Sequence, residues 1–341
     1  MENLAQYTSL RVGGPAQKFI HATTEQELIE AVKNSDKSGE PLLIIGGGSN
    51  VLIGDQGFNG TVIRVETKGN SYQFDACSGG MITVNSGENW DEFVQWIISK
   101  GFADVETLSG IPGTVGGAPI QNIGAYGHEV CEVIARVRTW DRKINAVKTF
   151  TNQDCEFGYR TSRFKREKDR YVVLDVTFQL RKGEMSLPIK YQELANYLGV
   201  QLGDRVLVED VRRAVLALRA AKGMVLSESD PDSWSAGSFF VNPILSAELA
   251  AKLPSDAPRW QQADGRVKTS AAWLMEKSGV RKGEEHEGAR VSTKHVLALV
   301  NSGNAKASDI AELAKSARAQ VKKVFGITLE PEVHFVGLSL D

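Results

Sequence analysis

A chain of 341 residues exceeds one typical hydrophobic core, so two or three domains are expected. With 40 Lys and Arg against 42 Asp and Glu, the formal net charge of -2 excludes the basic footprint of a nucleic-acid binder or of a protein held on an anionic membrane. No apolar run approaches the roughly 18 residues of a membrane span, and the opening MENLAQYTSLRVGG has no basic stretch followed by an apolar core, so neither a membrane segment nor a secretory leader is read.

Taken in chain order, Thr24-Glu25-Gln26-Glu27 has the form of a capping box and predicts a helix through about Asn34. Leu42–Ile45 is a short apolar run that reads as a buried strand, ending in Gly46-Gly47-Gly48-Ser49-Asn50. The next residues, VLIGDQGFNGTVIRV, read as strand and turn with no amphipathic helix, which fails the strand–glycine turn–helix test of a Rossmann phosphate site. Residues 88–100 predict a helix with Trp90, Phe93, Val94 and Ile97 on one face. Strand patterns occur at Val130–Trp140, Ala146–Phe150 and Tyr171–Leu180, with a helix start at Asn152 between the last two. Tyr191–Leu198 and Glu209–Ala221 read as helices, and Gly223–Trp234, with its Asp-Pro-Asp turn signal, as a boundary between globular regions. Helices are expected again near Thr269–Lys277 and Ser308–Phe325, and strands at His295–Val300 and Thr328–Val336.

The densest chemical signal is Gly110–Gly127, GIPGTVGGAPIQNIGAYG. Glycine lets backbone N–H groups approach a ligand with no Cβ in the way, and successive inward N–H groups form an anion site suited to a pyrophosphate. Ile111, Val115, Ile120 and Ile123 punctuate the glycines, so the loop is expected to pack down rather than hang as a linker. An isolated GGGSN could be only a tight turn, but two glycine loops fed by strands read as two walls around one dinucleotide. Three further patterns are ambiguous on their own. Arg160, Arg163 and Lys165 in GYRTSRFK are either a solvated face or a carboxylate grip. Ser238 in AGSFFVNP is either a satisfied structural hydroxyl or a proton donor in a water-poor pocket, and no GxSxG elbow surrounds it. Glu330 and Glu332 in LEPEV are either a surface pair or a working carboxylate, and spacing alone does not separate them. Cys77, Cys131 and Cys155, odd in number and widely spaced, read as inert buried thiols in a reducing cytoplasm, and the five histidines show no ligand spacing, so no metal is expected.

Together these segments resemble the UDP-N-acetylenolpyruvoylglucosamine reductases. SLRVGGPA, IIGGGSNVLI, SGIPGTVGGAPIQNIGAYG, FGYRTSRFK, SAGSFFVNP, TSAAWLMEKSG, ARVSTKHVLALVN and LEPEV occur in that family's order over essentially the whole chain. The stretch from Pro188 to Ala221 is similar to the tyrosine-bearing insertion of its type I members. The resemblance implies an α+β fold, with a two-subdomain FAD-binding domain of the vanillyl-alcohol oxidase type and a C-terminal α/β substrate-binding domain. The implied limits are 1–190 for the FAD domain, in subdomains of about 1–68 and 69–190; 191–224 for the tyrosine loop and helical connection; 225–325 for the substrate domain; and 326–341 for a terminal strand carrying Glu332.

It also implies the chemistry. FAD would be held by Gly46, Gly47, Gly48, Ser49 and Asn50, and by Gly110, Ile111, Pro112, Gly113, Thr114, Gly116 and Gly117. Gln121, Asn122, Gly124, Ala125 and Tyr126 continue that cofactor surface. Some relatives in the superfamily tether flavin through a histidine at the glycine loop; Ser49 stands there, so non-covalent FAD is expected, with His128 the nearest alternative. NADPH would reduce the flavin, which then reduces the enolpyruvyl group of UDP-N-acetylglucosamine enolpyruvate to give UDP-N-acetylmuramate for peptidoglycan. Ser238 would protonate the carbon next to the hydride acceptor, while Arg160 and Glu332 hold the substrate carboxylate, Glu332 by sharing a proton with it. Tyr159, Tyr191, Lys222 and Asn242 match substrate-binding positions, Lys222 within a stretch whose alignment can slip. A cytoplasmic monomer is expected. The competing readings are a flavin-dependent sugar or alcohol oxidase using O2, which would need a base where Ser238 offers a donor, and an idle nucleotide-binding protein that kept the fold.

Overall fold

A computed structural model describes residues 1–75 and 79–341; the expectation for Cys77 lies outside the described residues. The chain forms two compact units, and each is assembled from separated segments. The first comprises Met1–Glu2, Ala16–Gly48 and Asn59–Ala221; the second comprises Asn3–Pro15, Ser49–Phe58 and Lys222–Asp341.

In the first unit, a three-stranded sheet runs in the order Ala16–Ala22, Phe58–Val65, Leu42–Ile45, the last two parallel. Helix α1 (Glu25–Ser38) covers it through Leu28, Ala31 and Val32, packed with Ile63 and Val65. The capping box is formed: the Thr24 hydroxyl accepts from the Glu27 N–H, and the Glu27 carboxylate accepts from the Thr24 N–H. The helix outruns the expected end near Asn34 because nothing breaks it before Gly39, which takes the left-handed conformation of a C-cap at φ +70°.

A five-stranded antiparallel sheet comes next, in the order Ala146–Thr151, Ile134–Asp141, Tyr171–Leu180, Gly79–Asn85, Asn70–Asp75. On it lies α2 (Trp90–Ser99), which buries Trp90, Phe93, Val94 and Ile97 in one core with Phe178. A buried indole needs a partner, and the Trp90 Nε1–H donates to the Leu108 carbonyl at 2.9 Å. Short α3 (Arg163–Arg166) is followed by α4 (Gln192–Leu198) and α5 (Val208–Ala221), which share a small core of Ile189, Leu194, Val211 and Val215. Two sequence expectations shrink here. Val130–Glu132 is a 3-10 turn, with the strand starting at Ile134, and Asn152 opens only a 3-10 turn over Gln153–Cys155.

The second unit holds a four-stranded antiparallel sheet in the order Ser235–Ser238, Ala298–Asn301, Ala289–Val291, Glu285–His286. Three short strands, Ile244–Leu245, Val267–Lys268 and Trp260–Gln261, form another sheet, and helices α6 (Ala247–Ala251), α7 (Ala271–Ser278) and α8 (Ala307–Phe325) complete the layers. The expected strand at His295 begins later, at Ala298, because the Ser292 hydroxyl accepts from the N–H groups of both Lys294 and His295 and curls them into a turn. The core joins Phe239, Phe240, Leu274, Met275, Leu299 and Val321 to Leu10, Val12 and Leu52 from the first sixth of the chain. Asp55 belongs here too: its carboxylate accepts from the N–H groups of Ala307 and Ser308 at 2.7 and 3.1 Å, which satisfies the open donors of α8. The alternation over Thr328–Val336 predicts one strand, but regular strand covers only His334–Val336, parallel to Val51–Ile53. Around Pro331 the pairing narrows to an isolated antiparallel bridge with Phe240, where the ladder bonds come from the N–H groups of Val241 and Glu332 and none is asked of the proline.

Among the described residues no helix is long and apolar enough to cross a membrane. Cys155 is buried and its thiol is pushed up to about 12 by that burial, so it is an inert neutral core group. Cys131 is only half-buried, against expectation, yet burial and then the Glu129 carboxylate push its thiol up to about 11.

Candidate cofactor cradle and active site

In the first unit the two glycine loops meet. A Cβ on Gly47 would lie 2.8 Å from the Gly113 Cα, and one on Gly46 would lie 2.4 Å from the Thr114 hydroxyl. The two backbones are therefore in direct contact at Gly47 and Gly113, with the Thr114 side chain against Gly46, a closeness that only glycine permits. Gly48 turns the chain with φ +60°, and Gly116 packs so closely on Ser86 that its Cβ would fall 2.4 Å from the Ser86 Cβ. The loop is anchored as expected by buried Val115 and Ile123, with half-buried Ile111 against the same core; Ile120 instead is exposed. Such a floor of glycine backbone suits the pyrophosphate of a dinucleotide.

The start of this cradle is clamped by residues that sequence reading misses. Asp91 on α2 accepts from the Gly110 N–H at 2.6 Å and takes both guanidinium nitrogens of Arg212 on α5 at 2.6 and 2.8 Å. Burial would raise the Asp91 carboxyl, but Arg212 and the Gly110 N–H hold it below the usual carboxylate range. Arg219, further along the same helix, donates to the Gly110 carbonyl at 3.2 Å; burial lowers its guanidinium to about 10, still positive at neutral pH. No local motif marks these residues, because their partners lie far along the chain.

Asn122 is the hinge of the cradle's second half. It is fully buried with φ +47°; its amide nitrogen donates to Glu129 at 2.7 Å and to the Gly158 carbonyl at 3.1 Å, while its oxygen accepts from the Cys131 N–H. Its side chain is thus spent on the loop itself, leaving only its backbone for a cofactor. Arg160 reaches the same place: its guanidinium donates to the carbonyls of Asn122 and Gly124, at 3.4 and 2.8 Å. The residue sits at φ +52°, and Lys165 Nζ donates to its carbonyl at 3.0 Å, so the arginine is presented by a tight turn rather than a solvated face. Tyr159 stacks loosely under it, with the guanidinium carbon 5.7 Å from the ring centroid.

Beyond Gly124 the cradle meets the tyrosine-bearing segment. The Tyr126 and Tyr191 rings pack edge to face, their centroids 5.7 Å apart, and a Cβ on Gly127 would come within 2.7 Å of the Lys190 Cβ. Burial pushes the Tyr126 phenol up to about 12. His128 is 3% exposed and has both ring nitrogens in hydrogen bonds within the protein, one to Glu132 and one to the Pro188 carbonyl. It is not presented for attachment to a flavin.

In the second unit, Ser238 and Glu332 come onto neighbouring segments. Ser238 ends the strand Ser235–Ser238, opposite Ala298, just after Gly237 at φ +71°. The next residue, Phe239, accepts at its carbonyl from the Glu332 N–H at 2.8 Å, and Val241 donates to the Glu330 carbonyl. This register separates the two carboxylates that spacing left equivalent: Glu332 is half-buried one pair from Ser238, whereas Glu330 is exposed and two pairs further away. Asn50 of GGGSN is tied to the same segment, its amide donating to the Glu332 carbonyl at 3.1 Å and its own carbonyl accepting from the His334 N–H at 3.0 Å. Asn242 accepts from the Ala271 N–H at the start of α7, and Lys222 is half-buried at the head of the unit's last and longest segment.

Comparison with known proteins matches both halves of the chain. Residues 16–147 match the FAD binding domain family, and residues 230–336 match the family described as UDP-N-acetylenolpyruvoylglucosamine reductase, C-terminal domain. The UDP-N-acetylenolpyruvoylglucosamine reductase of Cutibacterium acnes is 54% identical over 99% of this chain and 90% of its own length. That of Thermobifida fusca is 47% identical over 99% and 97%. The crystal structure of the reductase from Thermus caldophilus covers 98% of this chain and 97% of its own, with 26% identity and a TM-score of 0.66. The floor of glycine backbone fits the FAD that the first match requires, and with such relatives over nearly its full length this chain belongs to the UDP-N-acetylenolpyruvoylglucosamine reductase family of FAD-dependent oxidoreductases.

Proposed function

We propose that this protein reduces UDP-N-acetylglucosamine enolpyruvate to UDP-N-acetylmuramate at the expense of NADPH. Bound FAD would supply the hydride chemistry between the nicotinamide and the enol ether. Gly46 to Asn50, Gly110 to Thr114, Gly116, Gly117, Gln121, Asn122 and Gly124 to Tyr126 would hold it.

The protein's part is to manage charge and protons. Hydride arriving at the methylene carbon leaves negative charge on the adjacent carbon and its carboxylate. The Ser238 Oγ–H delivers a proton to that carbon, so hydride and proton together saturate the double bond. The Arg160 guanidinium, preset by the Asn122 and Gly124 carbonyls, stabilises the carboxylate as charge gathers on it. Glu332 shares a proton with the same carboxylate, because two ionised carboxylates side by side would repel. Tyr159, Tyr191, Lys222 and Asn242 bind the sugar nucleotide, the last three at its uridine diphosphate end. A sugar nucleotide and NADPH are both charged metabolites that do not cross membranes unaided, so the proposal puts a monomeric enzyme in the cytoplasm.

The observation that carries this reading is the hydrogen bond from Glu332 to Phe239, which sets a carboxyl and a hydroxyl on adjoining segments. Anaerobic stopped-flow absorbance tests it. NADPH should bleach the oxidised flavin band and the enolpyruvyl sugar nucleotide should restore it. Ser238→Ala should bleach as the wild type does and recover on the order of 10²–10⁴ times more slowly. If NADPH bleaches nothing, and a sugar or alcohol does so with O2 restoring the colour, the oxidase reading replaces this one.

A further inference from the structure

His128 takes no part in the chemistry proposed above. It leaves the cradle in a two-residue strand paired with Gly124–Ala125, and it is buried where the cradle meets the tyrosine-bearing segment. Its Nε2 lies 3.1 Å from the Pro188 carbonyl oxygen, and its Nδ1 lies 2.8 Å from a Glu132 carboxylate oxygen. A carbonyl oxygen only accepts, so Nε2 carries hydrogen; a carboxylate only accepts, so a further proton lies on the Nδ1 side. Burial would raise the Glu132 carboxyl, but its hydrogen bond to the His128 ring, the Glu129 N–H and Lys190 hold it below the usual range. The ring so links the two sides of the junction, Glu132 on one and the Pro188 carbonyl on the other.

The neighbouring residues repeat the pattern. Leu187 donates to Glu106, a fully buried carboxyl that also accepts from the Asp104 N–H beside the cradle's base. Lys190 Nζ lies 3.5 Å from the Glu132 carboxylate, and its Cβ closes over Gly127. Tyr191 sets its ring against Tyr126. From Leu187 to Tyr191 only Ile189 turns away, into the core under α4 and α5. A stretch that needed only to cross the surface would not be fastened residue by residue to one loop.

We propose that His128 is a positioning residue for substrate binding: acting through Glu132 and the Pro188 carbonyl, it braces Tyr191 against the end of the cofactor cradle. The arm that meets the nucleoside diphosphate is thus built on the flavin loop, and its aim is set by that loop before substrate arrives. This rests on the diphosphate role of Tyr191 proposed above.

The test uses FAD-loaded wild type, His128→Phe, Glu132→Gln and Tyr191→Ala. Flavin content, NADPH bleaching, affinity of the oxidised holoenzyme for uridine diphosphate and KM for the enolpyruvyl sugar nucleotide are measured. His128→Phe should raise both the uridine diphosphate Kd and KM roughly five- to tenfold, the worth of one ordinary hydrogen bond. Glu132→Gln, which keeps the imidazole and removes its charged partner, should shift the same quantities in the same direction by less. Flavin content and bleaching should stay at wild-type values in both, a split that a general loss of fold would not produce. Unchanged uridine diphosphate affinity and KM in both variants overturns the proposal, as does loss of flavin and bleaching in parallel with affinity. Should His128→Phe fail to fold, Glu132→Gln decides alone. If Tyr191→Ala binds uridine diphosphate as tightly as wild type, the assignment of Tyr191 is what fails, and the bracing role falls with it.

Discussion

At the scale of single residues the site is governed by what glycine lets two backbones do. Gly46 and Gly47 lie against Thr114 and Gly113 with no room for a methyl group. Gly47→Ala would force the loops apart, a clash typically costing about 1–3 kcal/mol, and the cradle rather than the fold should yield because its floor is the nearest thing that can move. The expected result is protein that purifies folded but with FAD affinity lowered at least tenfold, checked by flavin content and by titrating apoprotein with FAD. The glycines themselves are legible in sequence; that their loops touch each other is not, since Gly47 and Gly113 are brought together only by the fold. The same holds for Glu332. The alternating pattern leaves Glu330 and Glu332 equal, and only the register against Phe239 and Val241 ranks them.

At the scale of elements, the helices that carry the site are readable from their ends. Thr24 with Glu27, Asn89 ahead of α2 and Ser270 ahead of α7 each cap a helix through a local side-chain bond, and local bonds are what a sequence displays. Strands are less legible where pairing shrinks to a single bridge or a side-chain turn cuts the pattern, as at Pro331 and Ser292. The clamp between α2 and α5 is invisible in sequence, because Asp91 and Arg212 are 121 positions apart and neither sits in a motif. It has a measurable consequence. Asp91→Asn removes a two-pronged ion pair and weakens the hold on the Gly110 N–H, expected to cost about 1–2 kcal/mol after allowance for partial exposure. The sign with pH comes from the lowered Asp91 carboxyl: its contribution is fully present above the ordinary carboxylate range and fades as pH falls through the folded value. Thermal melts of wild type and variant should differ most near neutrality and converge in acid.

At the scale of the whole molecule, the order of segments departs from the order of domains. The second unit takes Leu10, Val12 and Leu52 into its core and pairs His334–Val336 with Val51–Ile53. A fragment spanning residues 222–341, though it contains the whole matched C-terminal family region, should therefore remain unfolded alone, and far-UV circular dichroism would show it. Adding peptides covering 3–15 and 49–58 should restore some of the ordered signal. Domain limits drawn from linear composition miss this, since no boundary signal at Gly223–Trp234 can reveal that two early segments are owed to a late unit. The parallel pairing of Val51–Ile53 with His334–Val336 also sets a timetable for biosynthesis. Asn50, hydrogen-bonded to Glu332 and His334, finds its partners only after some 280 further residues have left the ribosome. Throughout translation the nascent chain carries an early strand with an unpaired edge, so in the cell this protein is expected to lean on chaperones late in synthesis.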